Sequence, residues 1–190
     1  LEILVKMMRK QIREYSKVNQ LAAKTFEQML EDTIRAYHER RKHLSIEEAG
    51  EAQEQASDDI IKAAYDHALE VLRQMKESRE SFRKIGLTFE EKAFYDILLA
   101  LRDQYDFEYG TDKEVDGVVI NDKCKALAQK VKEIIDTKSS FADWLNNQNV
   151  RNQLKLEIKI CLVKNGYPPQ YSPEVFKKVM EQVENFEENN

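Results

Sequence analysis

An all-α fold, an elongated multi-helix bundle with one long helix and a C-terminal helical hairpin, follows from three observations on this 190-residue sequence. All three prolines fall at Pro168, Pro169 and Pro173, so the first 167 residues contain none of the side chains that remove a backbone donor and clash with the preceding helical turn. Apolar residues recur at three- and four-residue spacing along nearly the whole chain. Charged residues make up 34% and apolar residues 42%, the balance expected of long helices with one packed and one solvated face.

Taken in order, Leu4, Met7 or Met8, Ile12 and Tyr15 predict a first helix to about Lys17. Leu21, Phe26, Leu30, Ile34 and Tyr37 predict a second from near Asn19, ending in Arg40, Arg41 and Lys42, where the helix dipole favours cations. Ser45 and Glu48 read as a capping box that opens one long helix through Ala52, Ile60, Ala64, Val71 and Phe82 to about Lys84, with Gly50 fraying or bending its start. After Gly86, a second capping box at Thr88 and Glu91 opens a helix carrying Phe94, Ile97, Leu98 and Leu101. Asp106 to Gly117 reads as a polar loop. Val118-Val119-Ile120 permits a strand, but three residues are taken as the lead-in to a helix from Asn121 to Thr137.

A linker holding Phe141 and the single tryptophan, Trp144, then leads to a helix from Asn149 to Lys164 that buries Val150, Leu154, Ile158 and Leu162. Gly166 ends that helix in the left-handed conformation, and Pro168 and Pro169 hold the corner extended. Ser172 caps the last helix, Pro173 to about Phe186, with Tyr171 and Phe176 at the two positions of a hydrophobic staple. Two parts are expected, residues 1–86 and residues 87–190, which can pack as one domain.

The net charge is −5, and it is uneven. Residues 1–44 carry ten basic against six acidic side chains, whereas residues 45–83 carry ten acidic against five basic ones. Overall acidity argues against nonspecific nucleic-acid binding, which needs many cationic phosphate contacts, but leaves room for a local basic face. No apolar run reaches the ~18 residues of a membrane span, so a soluble, cytoplasmic protein is expected. Cys124 and Cys161 lack metal-ligand spacing and sit at apolar helix positions, which fits small buried side chains in a reducing compartment. The start at Leu1 and the polar end at Asn190 fit a piece of a larger polypeptide that ends at its natural C-terminus.

Familiar chemistry is not assembled. His38 and His43 are five residues apart, one more than the H-E-x-x-H zinc pattern needs, which puts them about 140° out of register on a helix. His67 has no Glu-x-x-His companion. Glu157-Ile158-Lys159 matches only the end of an E-x-K nuclease pattern and falls within a helix. No G-x-x-x-x-G-K-[ST] or G-x-G-x-x-G loop occurs. No catalytic, cofactor-binding or metal-ligating residue is therefore assigned, and the isolated chain is expected neither to hydrolyse ATP nor to cut DNA. The helix after Asn149 shows Arg151, Lys155, Lys159 and Lys164 against Glu157, all outside its apolar stripe. Replacing Arg151, Lys155 and Lys159 should therefore cost the monomer little.

Leu87-Thr88-Phe89-Glu90-Glu91-Lys92-Ala93-Phe94-Tyr95-Asp96-Ile97-Leu98, then Asp143-Trp144, then Val150-Arg151 through Lys159 to Asn165-Gly166-Tyr167-Pro168-Pro169, together resemble the C-terminal helical region of the restriction, or R, subunit of type I restriction-modification enzymes. The resemblance spans about residues 87–183. Where family members carry an arginine-rich helix before the Gly-Tyr-Pro-Pro run, this chain has lysine or neutral residues at several positions. The resemblance implies a parent subunit that is an ATP-driven DNA translocase and site-specific deoxyribonuclease, using ATP and Mg²⁺ in segments upstream of this one. It further implies a noncatalytic role here: docking the motor onto the methyltransferase, or M, subunit, with DNA-site recognition left to a separate specificity subunit. The expected docking residues are Trp144, Arg151, Lys155, Lys159, Tyr167, Pro168 and Pro169, with the alternative for Trp144 and Tyr167 that both pack the last helices together. The rival reading is a DNA-tracking module built on Arg9, Lys10, Arg13 and the Arg40–Lys42 cluster.

Overall fold

A computed structural model describes residues 1–47, 51–139 and 146–189. Among these residues the chain forms eight helices and one two-stranded hairpin. The helices are α1 (Glu2–Ser16), α2 (Gln20–Glu47), α3 (Glu51–Glu80), the single turn α4 (Phe82–Ile85), α5 (Phe89–Gln104), α6 (Asp122–Ser139), α7 (Gln148–Lys164) and α8 (Pro173–Asn189). The predicted all-α class holds. The chain divides into two compact units, one of residues 1–16 and 22–79, the other of residues 17–21 and 80–190.

The first unit is built from α1, α2 and α3. Met8, Ile12 and Tyr15 line the buried side of α1, Ala23, Phe26 and Leu30 that of α2, and Ala64, Ala68, Val71 and Met75 that of α3. Tyr15 ties the three together: its ring lies 5.8 Å from that of Phe26 and its hydroxyl is 3.0 Å from Ser78 Oγ. One boundary differs from expectation. Ser45 lies inside α2, so it does not cap α3, which starts at Glu51 and stops at Glu80 rather than running from Ser45 to Lys84. Glu48 and Gly50 fall outside the described residues.

In the second unit α6 packs against both α5 and α7, and α8 packs against α5. Lys155 of α7 pairs with Glu184 of α8, which closes the four helices into a bundle. Its core is continuous, from Ile85 and Leu87 through Phe94, Leu98, Leu127, Val131, Leu154, Ile158, Val179 and Phe186. Residues 17–21 belong to this unit through specific bonds. Asn19, 1% exposed, donates to Asp96 Oδ2 at 2.7 Å, and Gln182 Nε2 donates to the Val18 carbonyl at 3.0 Å. The Thr88 capping box is present in both directions, with Glu91 N donating to Thr88 Oγ1 at 3.1 Å and Thr88 N to Glu91 Oε2 at 2.9 Å.

Residues 112–121 correct the helix lead-in. Asp112–Val115 and Val118–Asn121 form β1 and β2, paired antiparallel with Asp112 opposite Asn121 and Val115 opposite Val118. Asp116 and Gly117 both have positive φ, 51° and 74°, which is the two-residue type I′ turn that Asp-Gly favours because its twist matches that of paired strands.

Candidate docking surface

Helix α7 is apolar on two opposite sides. Leu154, Ile158 and Leu162 have no exposed surface and face the core. Leu156, Ile160 and Val163 are 57%, 42% and 57% exposed, and at 100° per residue they share a face about half a turn away. The other outward positions, Asn149, Asn152 and Gln153, are exposed and uncharged. A helix on the surface of a soluble domain normally keeps its outer face charged. Covering each of these half-exposed aliphatic side chains would contribute roughly 1 kcal/mol.

The flanks of this stripe are cationic. Lys159 stands on one side, its Nζ 5.7 Å from the Tyr171 ring and 5.4 Å from the Phe176 ring, and Tyr171 itself is 70% exposed. Those contacts hold the ammonium by the negative faces of the rings and leave its charge intact. Exposed Lys164 stands on the other side. Glu157, the carboxylate of this helix, is drawn off to Lys138 at 2.9 Å.

The corner after α7 fixes where this face ends. Gly166, at φ 70°, permits a doubly bonded stop in which Gly166 N donates to the Val163 carbonyl at 3.0 Å and Tyr167 N to that of Leu162 at 2.9 Å. The Tyr167–Pro168 peptide is cis. The Tyr171–Phe176 staple is formed, with ring centroids 5.5 Å apart. Asn165 is held from two sides: the Tyr109 hydroxyl donates to its carbonyl at 3.0 Å, and Lys130 Nζ to its Oδ1 at 2.7 Å.

The residues expected to dock do not share one surface. Lys159 is exposed beside the stripe and Pro169 is exposed at the corner. Tyr167 has no exposed surface and Pro168 is buried, so both pack the bundle. Arg151 and Lys155 are half-buried; Lys155 is spent on Glu184, and Arg151 Nε is buried without a hydrogen bond. Replacing Arg151, Lys155 and Lys159 together would therefore disturb the α7–α8 contact, contrary to the expectation of a neutral surface change. Trp144 lies outside the described residues. The outer stripe is legible in the sequence, since Leu156, Ile160 and Val163 recur at helical spacing, but Leu154, Ile158 and Leu162 recur at the same spacing and periodicity alone does not tell the two sets apart.

Beside Arg151, burial pushes the Glu187 carboxyl up from 4.5 to about 7, against the pull of Arg151 and Lys155 and with the help of Glu184 and Glu188. One of its oxygens is buried without a hydrogen bond. Because its folded value is raised above the unfolded one, its contribution to stability is full below about pH 4.5 and is lost as pH rises through 7. Glu187→Gln is expected to raise stability at pH 8 by about 1–3 kcal/mol and to change it little at pH 4.5, read from urea midpoints. A loss of stability at pH 8 would mean that the carboxylate works as the partner of Arg151.

In the first unit, Lys6, Arg9, Lys10 and Arg13 line a shallow recess on α1, and Arg9 is paired with Glu31 at 2.7 Å. A cleft of about 290 Å³ between α2 and α3 is lined by Tyr37, Ile60 and Val71 together with Asp32, Glu70, Arg40 and His67. Its mixed charge favours no ligand class.

Residues 1–189 match the family described as type I restriction enzyme HindI endonuclease subunit-like, C-terminal. The chain is 26% identical over 165 residues to a protein of Methanocaldococcus jannaschii described as a type I restriction enzyme MjaIXP endonuclease subunit, covering 87% of this chain and 13% of that protein. It is 27% identical over 181 residues to the type I restriction enzyme HindI endonuclease subunit of Haemophilus influenzae, covering 94% of this chain and 14% of that protein. The chain thus spans about one-seventh of the length of these curated relatives. No solved structure matches it.

Proposed function

The chain belongs to the family of HindI-like type I restriction enzyme endonuclease subunits, C-terminal region, and from that premise we propose that it is a noncatalytic docking domain that holds the endonuclease subunit on the methyltransferase core. The whole subunit is, on this reading, an ATP-driven DNA translocase and nuclease, and its ATP- and Mg²⁺-dependent chemistry resides outside these residues. The observation that supports docking is the outer face of α7, where Leu156, Ile160 and Val163 stand in water on a helix whose opposite side already fills the core. A face built to track DNA would instead present cations to phosphates.

The rival role, guiding duplex toward the motor, draws on Arg9, Lys10 and Arg13 on α1, of which Arg9 is paired with Glu31, and on the Arg40–Lys42 cluster on α2. Binding of the chain to the methyltransferase subunit of its own system separates the two. Docking through an apolar stripe is expected to weaken only a few-fold between 50 and 200 mM salt, whereas a duplex held by several phosphate contacts loses orders of magnitude over that range. Failure of the wild-type chain to bind the methyltransferase subunit, together with steeply salt-dependent DNA binding, would give the role to the DNA-tracking reading.

A further inference from the structure

We infer that the outer face of α7 receives an acidic amphipathic helix of the partner, laid along Leu156, Ile160 and Val163 with its carboxylates beside Lys159 and Lys164. This inference rests on the docking reading and specifies the element that docks. Three aliphatic side chains at i, i+4 and i+7 along one helix present a straight ridge of about two turns. A second helix meets such a ridge with its own apolar residues at three- and four-residue spacing. Neutral Asn149, Asn152 and Gln153 continue the ridge toward the N-terminus of α7 without a charge to repel a neighbour.

Charge identifies the occupant's flanks. Fully exposed positions of α7 along this face carry two lysines, and the one carboxylate beside them, half-buried Glu157, is paired with Lys138 at 2.9 Å, in a chain whose acidic residues outnumber its basic ones by 35 to 30. Lys159 is placed by two aromatic rings and Lys164 follows directly on Val163. One cation lies on each side of the ridge, the arrangement in which flanking charges of paired helices choose a partner and its register. A basic helix, or a nucleic acid that needs no apolar ridge, fits this face less well. Tyr171 widens the rim beside Lys159 and offers a flat, half-polar surface of the kind enriched at docking sites.

Binding of the whole chain to the methyltransferase subunit of its own system tests the inference. Leu156→Glu combined with Ile160→Glu should weaken binding at least tenfold, and Lys159→Glu combined with Lys164→Glu should do so by a similar factor. Far-ultraviolet dichroism and the melting temperature should stay near wild type in both, since all four side chains are exposed. A photo-crosslinker placed at Val163 should then mark, on the partner, a helix with apolar residues at three- and four-residue spacing between Asp and Glu flanks. Wild-type affinity in both double variants, or crosslinks confined to a basic or non-helical segment, would overturn the inference while the docking reading stood. No binding by the wild-type chain would overturn both.

Discussion

Tyr167→Ala is expected to destabilise the second unit by about 3–5 kcal/mol, the range for removing a buried aromatic ring from a packed core. Tyr167 is the residue at which the C-terminal corner plugs into the bundle. Its ring meets Phe107 at 5.3 Å and Tyr109 at 5.0 Å, both edge-on, and its hydroxyl donates to the Leu98 carbonyl at 2.7 Å. Burial holds that hydroxyl well above the ordinary tyrosine range, so it stays a donor at any working pH. Tyr167→Phe keeps the ring and loses only a bond to a carbonyl already inside a helix, so about 1 kcal/mol is expected. Urea unfolding followed by dichroism, fitted with a separate transition for each unit, reads both values. A loss below about 1 kcal/mol for the alanine variant would show that the corner is not anchored through this ring.

This residue also marks what the sequence could and could not disclose. The Gly-Tyr-Pro-Pro run was readable as a corner because glycine and proline restrict the backbone whatever surrounds them. The Thr88 cap and the Tyr171–Phe176 staple were readable for the same reason, since both are made within a few residues. Whether Tyr167 faces a partner or the core depends on Leu98, 69 residues away, and no local rule carries that distance. The same distance rule hides the surroundings of Arg151 and Lys155. Periodicity places them off the apolar stripe of α7, yet α8 lies there with Glu184 and Glu187, and only the packing of the bundle reveals it. The hairpin was the opposite case. Asp116-Gly117 is a strong local signal, and it was outweighed by the helical composition on either side.

Asn121→Ala is expected to cost about 2–4 kcal/mol, an unusual loss for an uncharged residue at a helix start, because one fully buried side chain joins three segments. Its Oδ1 accepts from Cys124 N at 3.0 Å and so caps α6, while its Nδ2 donates to the Tyr109 carbonyl at 2.8 Å and to Asp112 Oδ1 at 2.7 Å. Removing the cap accounts for about 1 kcal/mol, and leaving the Tyr109 carbonyl without its Asn121 donor and Asp112 Oδ1 with one donor fewer adds about 1–3 kcal/mol. Arg102 keeps its two bonds to Asp112, at 2.5 and 2.9 Å, so that carboxylate is not abandoned. Asn121→Asp separates the two roles. Aspartate is as good a cap as asparagine, but here its second oxygen would face a carbonyl and the Asp112 carboxylate, so it should cost at least as much as alanine. Gly110→Ala should fail at the same place from the other side, since a Cβ there would stand 2.4 Å from Asn121 Oδ1 on a backbone with φ of 70°. The network reaches α7 through Tyr109, whose hydroxyl holds the end of that helix at Asn165. Partner binding should therefore fall only as far as the folded fraction does. An Asn121→Asp variant within 0.5 kcal/mol of wild type, a margin typical of open surface sites, would show that the cap alone matters and that the hairpin is held by other means.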